Sequence, residues 1–189
     1  MTNLTLTNPS YSESSDVAYG QELTGGYGTT PPNHIPQLDF TVTARVARTG
    51  TGTVDIAMAQ REVFWCGAFH DGTAQARYGS GADEVTLSTS VNISDGAYHH
   101  LELNFSQDGA RLFVDGVLAA SNPATLESLN ADLQANEAFH VRSIDAGSNI
   151  WSGSVDEVAI FTRQLHTSNF TPPSAPYSNG SDGIYSFGS

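Results

Sequence analysis

The chain has 189 residues, a length that suits one all-β domain and leaves little room for a second. Hydrophobic residues make up 39% of it and include nine Phe, seven Tyr and two Trp, so the composition excludes a disordered chain. Twenty acidic side chains against seven basic ones give a formal net charge of −13, which would repel phosphate backbones and argues against a nucleic-acid partner.

The amino-terminal segment is polar, and it lacks an apolar run of signal-peptide or membrane-spanning length. We therefore expect neither classical secretion nor membrane insertion. The stretch Tyr19–Pro36 is dense in Gly, Thr and Pro, which excludes a helix and predicts a long ordered loop before regular structure begins. Residues 1–36 are interpreted as an arm and a Gly/Pro-rich loop that form part of the main fold or dock on it.

Alternating apolar residues then predict a series of β-strands. Phe40, Val42, Ala44 and Val46 alternate with polar residues, and a turn at residues 49–52 leads to a second alternating run, interpreted as a hairpin partner, at Val54, Ile56 and Met58. The segment Val63–Phe69 is apolar on both faces, as in a central strand, and Asp71-Gly72 turns it back toward Ala74–Tyr78. Cys66 is the only cysteine and is interpreted as a small core residue.

The clearest pattern lies between Tyr98 and Ser121. Leu101, Leu103 and Phe105 face one side of a strand, while the residues between them face the other. Asp108-Gly109 and Asp115-Gly116 predict two tight turns, because glycine accepts the positive φ angles that hairpins require.

The last third of the chain has weaker signals. Residues 124–138 have leucines three and four apart, which predicts one short helix in a crossover loop. Strand patterns resume at Phe139 and at Val155–Phe161, and a Pro-rich run at 171–176 precedes a tail that either pairs with a sheet or leads toward a partner. About ten short strands with almost no helix predict an all-β sandwich or barrel.

Three segments, in this order, resemble the laminin G-like and pentraxin-like jelly-roll family. They are Asp39–Val46, the pair Asp95–Leu101 with Arg111–Gly116, and Trp151–Val158 followed by Leu165. Tyr98 stands where the family usually has Trp. The resemblance implies a two-sheet antiparallel jelly-roll sandwich of the concanavalin A-like lectin type over residues 37–168, with little or no helix, followed by a Pro-rich linker and tail over 169–189.

The resemblance also implies a function in binding. The family is known for binding glycans or proteins, often with calcium, and for forming appendages in phage tail fibres and other virion parts. The first hypothesis is a non-enzymatic virion protein, a tail appendage or capsid decoration, that contacts other virion proteins and copies of itself as a homo-oligomer and binds a host glycan. The alternative is a carbohydrate-binding module of a secreted or cell-surface protein.

Candidate site residues follow from these two hypotheses. Asp156 matches the family's closing motif and, with Asp16 placed by analogy, predicts one structural calcium ion; the alternative is that Asp156 accepts a backbone hydrogen bond. Trp65, Tyr78 and Trp151 are candidate platforms for a sugar, although large aromatics in a sandwich also fill the core.

The remaining motifs indicate structural roles for their residues rather than catalytic ones. His99 and His100 lie in the motif centred on Tyr98 and are interpreted as structural rather than as metal ligands. The sequence lacks the nucleophile-elbow, zinc-protease and phosphate-loop motifs, and its adjacent carboxylate pairs leave a strand on opposite faces. We therefore expect no enzymatic activity.

Overall fold

The computed structural model describes residues 5–12, 22–30, 39–61, 63–79, 84–123, 138–145, 148–175 and 183–186. For residues 5–12, 22–25 and 183–186 only the backbone is considered. Thirteen strands lie in these ranges: β1 Thr5–Ser12, β2 Glu22–Thr29, β3 Phe40–Thr49, β4 Asp55–Gln60, β5 Phe64–Ala68, β6 Thr73–Tyr78, β7 Val85–Asn92, β8 Asp95–Ser106, β9 Gly109–Val114, β10 Val117–Asn122, β11 Phe139–Val141, β12 Gly153–Phe161 and β13 Gly183–Ser186. No helix occurs in the described part of the chain.

The strands form two packed antiparallel sheets. The hydrogen-bonded order is β10-β9-β8-β3-β12-β2-β11-β4-β5-β6-β7, with β1 paired to β2 and β13 paired to β12. We call β10-β9-β8-β3-β12 the first sheet and β11-β4-β5-β6-β7 the second sheet. Strand β2 joins them, since Leu23 pairs with Val155 of β12 while Gly28 pairs with Val141 of β11. The predicted two-sheet jelly-roll sandwich is confirmed.

The glycine-rich segment between Tyr19 and Pro36 was predicted to be a loop, and this prediction is wrong for its central part. Residues Glu22–Thr29 form β2, despite the low strand propensity of Gly25, Gly26 and Gly28. The physical reason is pairing on both sides, with β1 along one edge and with β11 and β12 along the other. Residues 1–36 thus contribute two strands to the sandwich.

The predicted hairpin between the strands at 40–46 and 54–58 is also wrong. Strand β3 pairs with β8 and β12, whereas β4 pairs with β5 and β11. The intervening turn carries the chain from the first sheet to the second. A buried ion pair spans this crossing, because Arg48 Nε donates to Asp55 Oδ2 at 2.9 Å and Arg48 also contacts Ser94 and Thr53.

The core lies between the two sheets and is rich in aromatic rings. Phe40 and Phe105 of the first sheet pack against Phe64 of the second with their rings tilted, at centroid distances of 5.8 and 5.3 Å. Cys66 is buried among these residues, as predicted, and burial raises the pKa of its thiol to about 12, so the thiol stays protonated and unreactive. Packing of these rings removes apolar surface from water and so stabilises the contact between the two sheets.

Residues 162–175, which we call the closing segment, lie across the outer face of the first sheet. Its carbonyl at Arg163 accepts from Thr41 Oγ1 of β3, the carbonyl at His166 accepts from Asn104 Nδ2 of β8, and the amide of Phe170 donates to the carbonyl of Gly116 in the β9–β10 turn. The segment therefore crosses from β3 to the far edge of the first sheet.

Other predicted strands and turns agree with the structure. The Asp108-Gly109 turn joins β8 to β9, and the Asp115-Gly116 turn, with positive φ at both residues, joins β9 to β10. Residues 183–186 of the tail pair with β12, which favours the sheet-pairing alternative. The predicted helix at 124–138 falls almost wholly outside the described residues. Within the described residues, none lies in a helix able to cross a bilayer.

Candidate functional site

The outer face of the first sheet is occupied by the protein itself. Along β8, Glu102 and Asn104 point away from the core, yet both are fully buried beneath the closing segment. His166 Nδ1 lies 2.9 and 3.0 Å from the two carboxylate oxygens of Glu102, and Asn104 Nδ2 donates to Glu102 Oε1 at 2.7 Å. Because Glu102 is desolvated, its pKa is raised. This face contains a structural network and is not a candidate ligand site.

The outer face of the second sheet carries a row of cross-strand partners. His140 pairs with Ala59, Ala59 with Trp65, Trp65 with Arg77 and Arg77 with Thr86, so the row crosses all five strands of the second sheet. Residues directly opposite one another on antiparallel strands share a face and contact one another. The sheet therefore places an indole, a guanidinium and a hydroxyl side by side.

Trp65 is the aromatic centre of this row. It packs against a small apolar cluster that contains Ile56 and Ala59, with Ile144 beside it. Arg77 Cζ lies 5.6 Å from the centre of the Trp65 ring, within the range of a cation–π contact. Only 9% of Trp65 is exposed, so the indole and the guanidinium together, rather than a bare ring, form this part of the surface.

Arg77 also forms an ion pair at the surface. Its Nη1 lies 2.8 Å from Glu84 Oε1, and the two side chains are 37% and 40% exposed. Ion pairs at such exposure contribute only about 0–1 kcal/mol to stability, so this one has little structural value. Donors and acceptors on neighbouring exposed side chains are, however, available to a ligand.

Uncharged polar side chains continue the face next to this pair. Gln75 pairs with Gly67 and Ser88, and its Nε2 donates to Ser88 Oγ at 3.1 Å. Gln75 is buried, and its Oε1 accepts no hydrogen bond from any described residue, while Ser88 and Thr86 are exposed. We call the set Trp65, Gln75, Arg77, Glu84, Thr86 and Ser88 the second-sheet patch. It combines the largely buried indole of Trp65 with clustered hydrogen-bonding groups.

The structure does not bring the three predicted aromatic platforms together. Trp65 lies in the patch, whereas Tyr78, the next residue after Arg77, points into the core and packs on Phe105. Trp151 has no exposed surface, and its indole N–H lies 3.1 Å from the carbonyls of Ala47 and Ser154. For Tyr78 and Trp151 the core-packing alternative is favoured by their burial.

Within the described residues, Asp156 does not belong to a cluster of metal-ligating side chains. Its Oδ1 accepts from the amide of Glu157 at 2.9 Å inside a β-bulge where Glu157 has φ of 49°, and the side chain is buried. Calcium takes six to eight oxygen ligands, and within the described ranges no three His, Cys, Asp or Glu side chains cluster as metal ligands. Asp16 lies outside those ranges, so the calcium ion stays a prediction.

The adjacent histidines have opposite electrostatic surroundings. The pKa of His99 is raised because Asp115 Oδ2, 2.7 Å from Nδ1, and Asp95 Oδ1, 3.1 Å from Nε2, favour its charged form. Burial and the nearby Arg45 lower the pKa of His100 to about 4. The residues that shift these two pKa values belong to the first sheet and its turns. This agrees with the interpretation of His99 and His100 as structural residues.

Comparison with known proteins agrees with this architecture. A laminin G family model, described as the concanavalin A-like lectin/glucanases superfamily, matches residues 22–169. The chain belongs to this superfamily. The match begins at the first residue of β2 and ends inside the closing segment. A search among curated proteins found no significant match.

Solved structures with the same fold come from several sources. Domain 4 of the extracellular arabinanase AbnA from Geobacillus stearothermophilus, solved with arabinotriose, is 16% identical over 87% of this chain and 84% of that one, with a TM-score of 0.66. The enzymatically active domain of tailspike protein 2 from bacteriophage CBA120 is 14% identical over 98% of this chain but only 32% of that one, with a TM-score of 0.70.

A third structure, a pentraxin from Limulus polyphemus, is 15% identical over 68% of this chain and 65% of that one, with a TM-score of 0.50. At these identities the likeness shows the fold alone. It supports the laminin G-like and pentraxin-like resemblance deduced from the motifs.

Sequence reasoning identified Trp65 but missed the rest of the patch. Arg77 and Glu84 are seven residues apart and meet only because β6 and β7 are paired. The available signal was the alternation within β6, where Gln75 and Arg77 stand between the buried Ala74, Ala76 and Tyr78. That alternation assigns both side chains to the outer face.

Proposed function

We propose that this chain is a non-enzymatic glycan-binding jelly roll whose second-sheet patch contacts the sugar. The single observation that carries the proposal is the position of Trp65 and Arg77 beside Glu84, Gln75 and Ser88 on the outer face. The outer face of the first sheet is filled by the closing segment, whereas Arg77, Glu84, Thr86 and Ser88 leave part of the second sheet's outer face exposed.

The chemistry of the patch suits a polyhydroxylated ligand. A sugar has hydroxyl groups that both donate and accept, together with an apolar C–H face. The patch offers acceptors at Glu84, donors at Arg77 and two hydroxyls at Thr86 and Ser88, next to the 9% of Trp65 that is exposed. The fold is shared with an arabinanase domain solved with arabinotriose, which supports a sugar ligand.

A binding role without catalysis is the second part of the proposal. Glycoside hydrolysis commonly needs two carboxyl groups on opposite sides of one bond. Within the patch Glu84 is the one carboxylate that the described residues supply, and it is engaged with Arg77. The buried Glu102 is covered by the closing segment, which leaves no room for a substrate.

The place of action is proposed as a virion appendage, such as a tail fibre or a capsid decoration. The supporting observation is that the likeness to the phage tailspike domain covers 98% of this chain. The alternative, a module of a secreted or surface protein, is favoured by the coverage of 84% of the arabinanase domain. Contact with other virion proteins, a homo-oligomeric state and one structural calcium ion remain parts of the virion proposal.

Glycan binding is tested first with a glycan array and then by calorimetry on the sugars that bind. Wild-type protein should give a saturable signal, and Trp65→Ala together with Arg77→Ala should reduce affinity by about tenfold or more, the loss expected from about 1.4 kcal/mol. Tyr78→Phe is the matched control, since its ring points into the core, and it should bind as wild type. Absence of any saturable signal would contradict the proposal.

The virion location needs a separate measurement. Sedimentation of the full-length chain, with and without a chelator, would show a defined oligomer for an assembly-forming appendage. A monomer with a melting temperature indifferent to chelator would favour the secreted or surface module and would remove the calcium ion from the proposal.

A further inference from the structure

We infer that the second-sheet patch selects neutral glycans, and that Glu84 determines this selectivity by neutralising Arg77. The inference rests on the proposed glycan-binding function and adds the class of sugar and the residue responsible. Its basis is the geometry of one ion pair among the otherwise uncharged members of the second-sheet patch.

The first step is the charge of the patch. Arg77 supplies one positive charge and Glu84 one negative charge, with Nη1 and Oε1 only 2.8 Å apart. The other members, Trp65, Gln75, Thr86 and Ser88, are uncharged. An arginine stacked on an aromatic ring would normally attract a carboxylate or sulfate, because its planar guanidinium binds such groups through two parallel hydrogen bonds. Here that position is already held by Glu84.

The second step is the field of the whole protein. The formal net charge of −13 disfavours approach of any polyanion, and the effect is strongest at low ionic strength. An acidic glycan would need to displace Glu84 from Arg77 against this repulsion. A neutral sugar meets neither obstacle.

The third step is the match between the ion pair and a diol. Two adjacent sugar hydroxyls can each donate to a carboxylate oxygen and accept from a guanidinium N–H, so they fit an arginine and a carboxylate that lie side by side. The side chains of Arg77 and Glu84 are 37% and 40% exposed, so a ligand can reach both charged groups. The pair thus offers a donor and an acceptor without a net charge.

The test compares wild type with Glu84→Gln on an array of neutral and acidic oligosaccharides that contains arabino-, xylo- and gluco-oligosaccharides together with uronate and sialylated sugars. Wild type should bind neutral sugars alone. Glu84→Gln frees the Arg77 guanidinium and should raise the acidic-to-neutral binding ratio by about tenfold, with the gain weakening in high salt. Asp108→Asn, at the exposed β8–β9 turn, changes the net charge equally and should not shift the ratio.

The double variant Arg77→Gln, Glu84→Gln identifies the cation. It should lose the gain for acidic sugars, because no free guanidinium remains. Wild-type preference for acidic sugars, or an equal shift in Asp108→Asn, would overturn the inference while leaving glycan binding intact. Absence of all binding in wild type would instead reject the proposed function and the inference with it. Melting temperatures show that each variant is folded.

Discussion

The two outer faces of the sandwich differ in how far their polar side chains are buried. On the first sheet, Glu102 and Asn104 are fully buried, and hydrogen bonds join them to the closing segment. On the second sheet, Arg77 and Glu84 pair in partial contact with water, and Thr86 and Ser88 beside them are exposed. Buried networks of this kind contribute to stability when complete, whereas exposed groups are free to bind ligands. The first face is thus built for stability, whereas the second keeps the exposed polar groups that the proposed binding function requires.

The largest expected effect is on the free energy of unfolding. It appears when the amide side chain of Asn104, on the first face, is removed and compared with that of Gln75, on the second. Asn104→Ala removes the donor to Glu102 and to the carbonyl of His166, and leaves buried groups unpaired at about 1–3 kcal/mol each, so we expect a loss of about 4 kcal/mol in the free energy of unfolding. Gln75→Ala removes one hydrogen bond to the exposed Ser88 and should cost about 1 kcal/mol. Urea unfolding measures both, and equal losses would remove the distinction between the faces.

The second prediction uses pH to probe the first face. His100 is buried beside Phe170, with Arg45 and His166 nearby, and burial lowers its folded pKa to about 4, below the 6.5 of an unperturbed histidine. A lowered histidine pKa gives stability that is full above pH 6.5 and is lost as pH falls toward 4. The loss reaches about 3 kcal/mol, at 1.36 kcal/mol per pKa unit.

The pH effect is measured as the difference in unfolding free energy between wild type and His100→Gln from pH 7 to pH 4. That difference should change by about 3 kcal/mol in favour of the variant as the solution becomes acidic. His99→Gln is the control with opposite sign: the raised pKa of His99 gives stability present below pH 6.5 and lost as pH rises through its folded value. Curves for His100→Gln that run parallel to wild type would contradict the assigned burial.

A third prediction tests whether the closing segment holds the β9–β10 turn in place. Gly116 and Gly50 both have positive φ, at 76° and 97°, so alanine at either position costs about 1 kcal/mol in backbone strain. A Cβ at Gly116 would lie 2.1 Å from the carbonyl oxygen of Phe170, while at Gly50 nothing lies within 4 Å.

Gly116→Ala should therefore be less stable than Gly50→Ala by about 2 kcal/mol, and proteolysis should cut residues 162–175 faster in the first variant. Thermal unfolding and limited proteolysis provide the two measurements. If the two alanine variants matched in both, the closing segment would not be packed against the turn.

The strands and turns were largely predictable from the sequence because their signals are local. Alternation at Phe40–Val46 and glycine at Gly109 and Gly116 each reflect the geometry of one strand or one turn. The pairing of β3 with β8 and β12, and the strand at Glu22–Thr29, depend on partners far along the chain, which alternation cannot specify.

The candidate site was predictable only in part for the same reason. Alternation shows that Glu102 and Arg77 leave the core side of their strands, but it does not show that residues 162–175 cover the first and not the second. Trp65 has apolar sequence neighbours and Trp151 mainly polar ones, yet Trp65 lies on the outer face and Trp151 is fully buried. Side-chain burial depends on which distant segment packs over each face.

The smallest effect is expected on the second face. A double-mutant cycle with Arg77→Gln and Glu84→Gln should give a coupling energy of about 0.5 kcal/mol, because exposed ion pairs gain little over their hydration and are screened by salt. Measured in the same urea titrations, this coupling should fall further in 1 M salt. A coupling above about 2 kcal/mol would place Arg77 and Glu84 among the structural interactions, like those of Asn104, and would weaken the case that the second face is kept for a ligand.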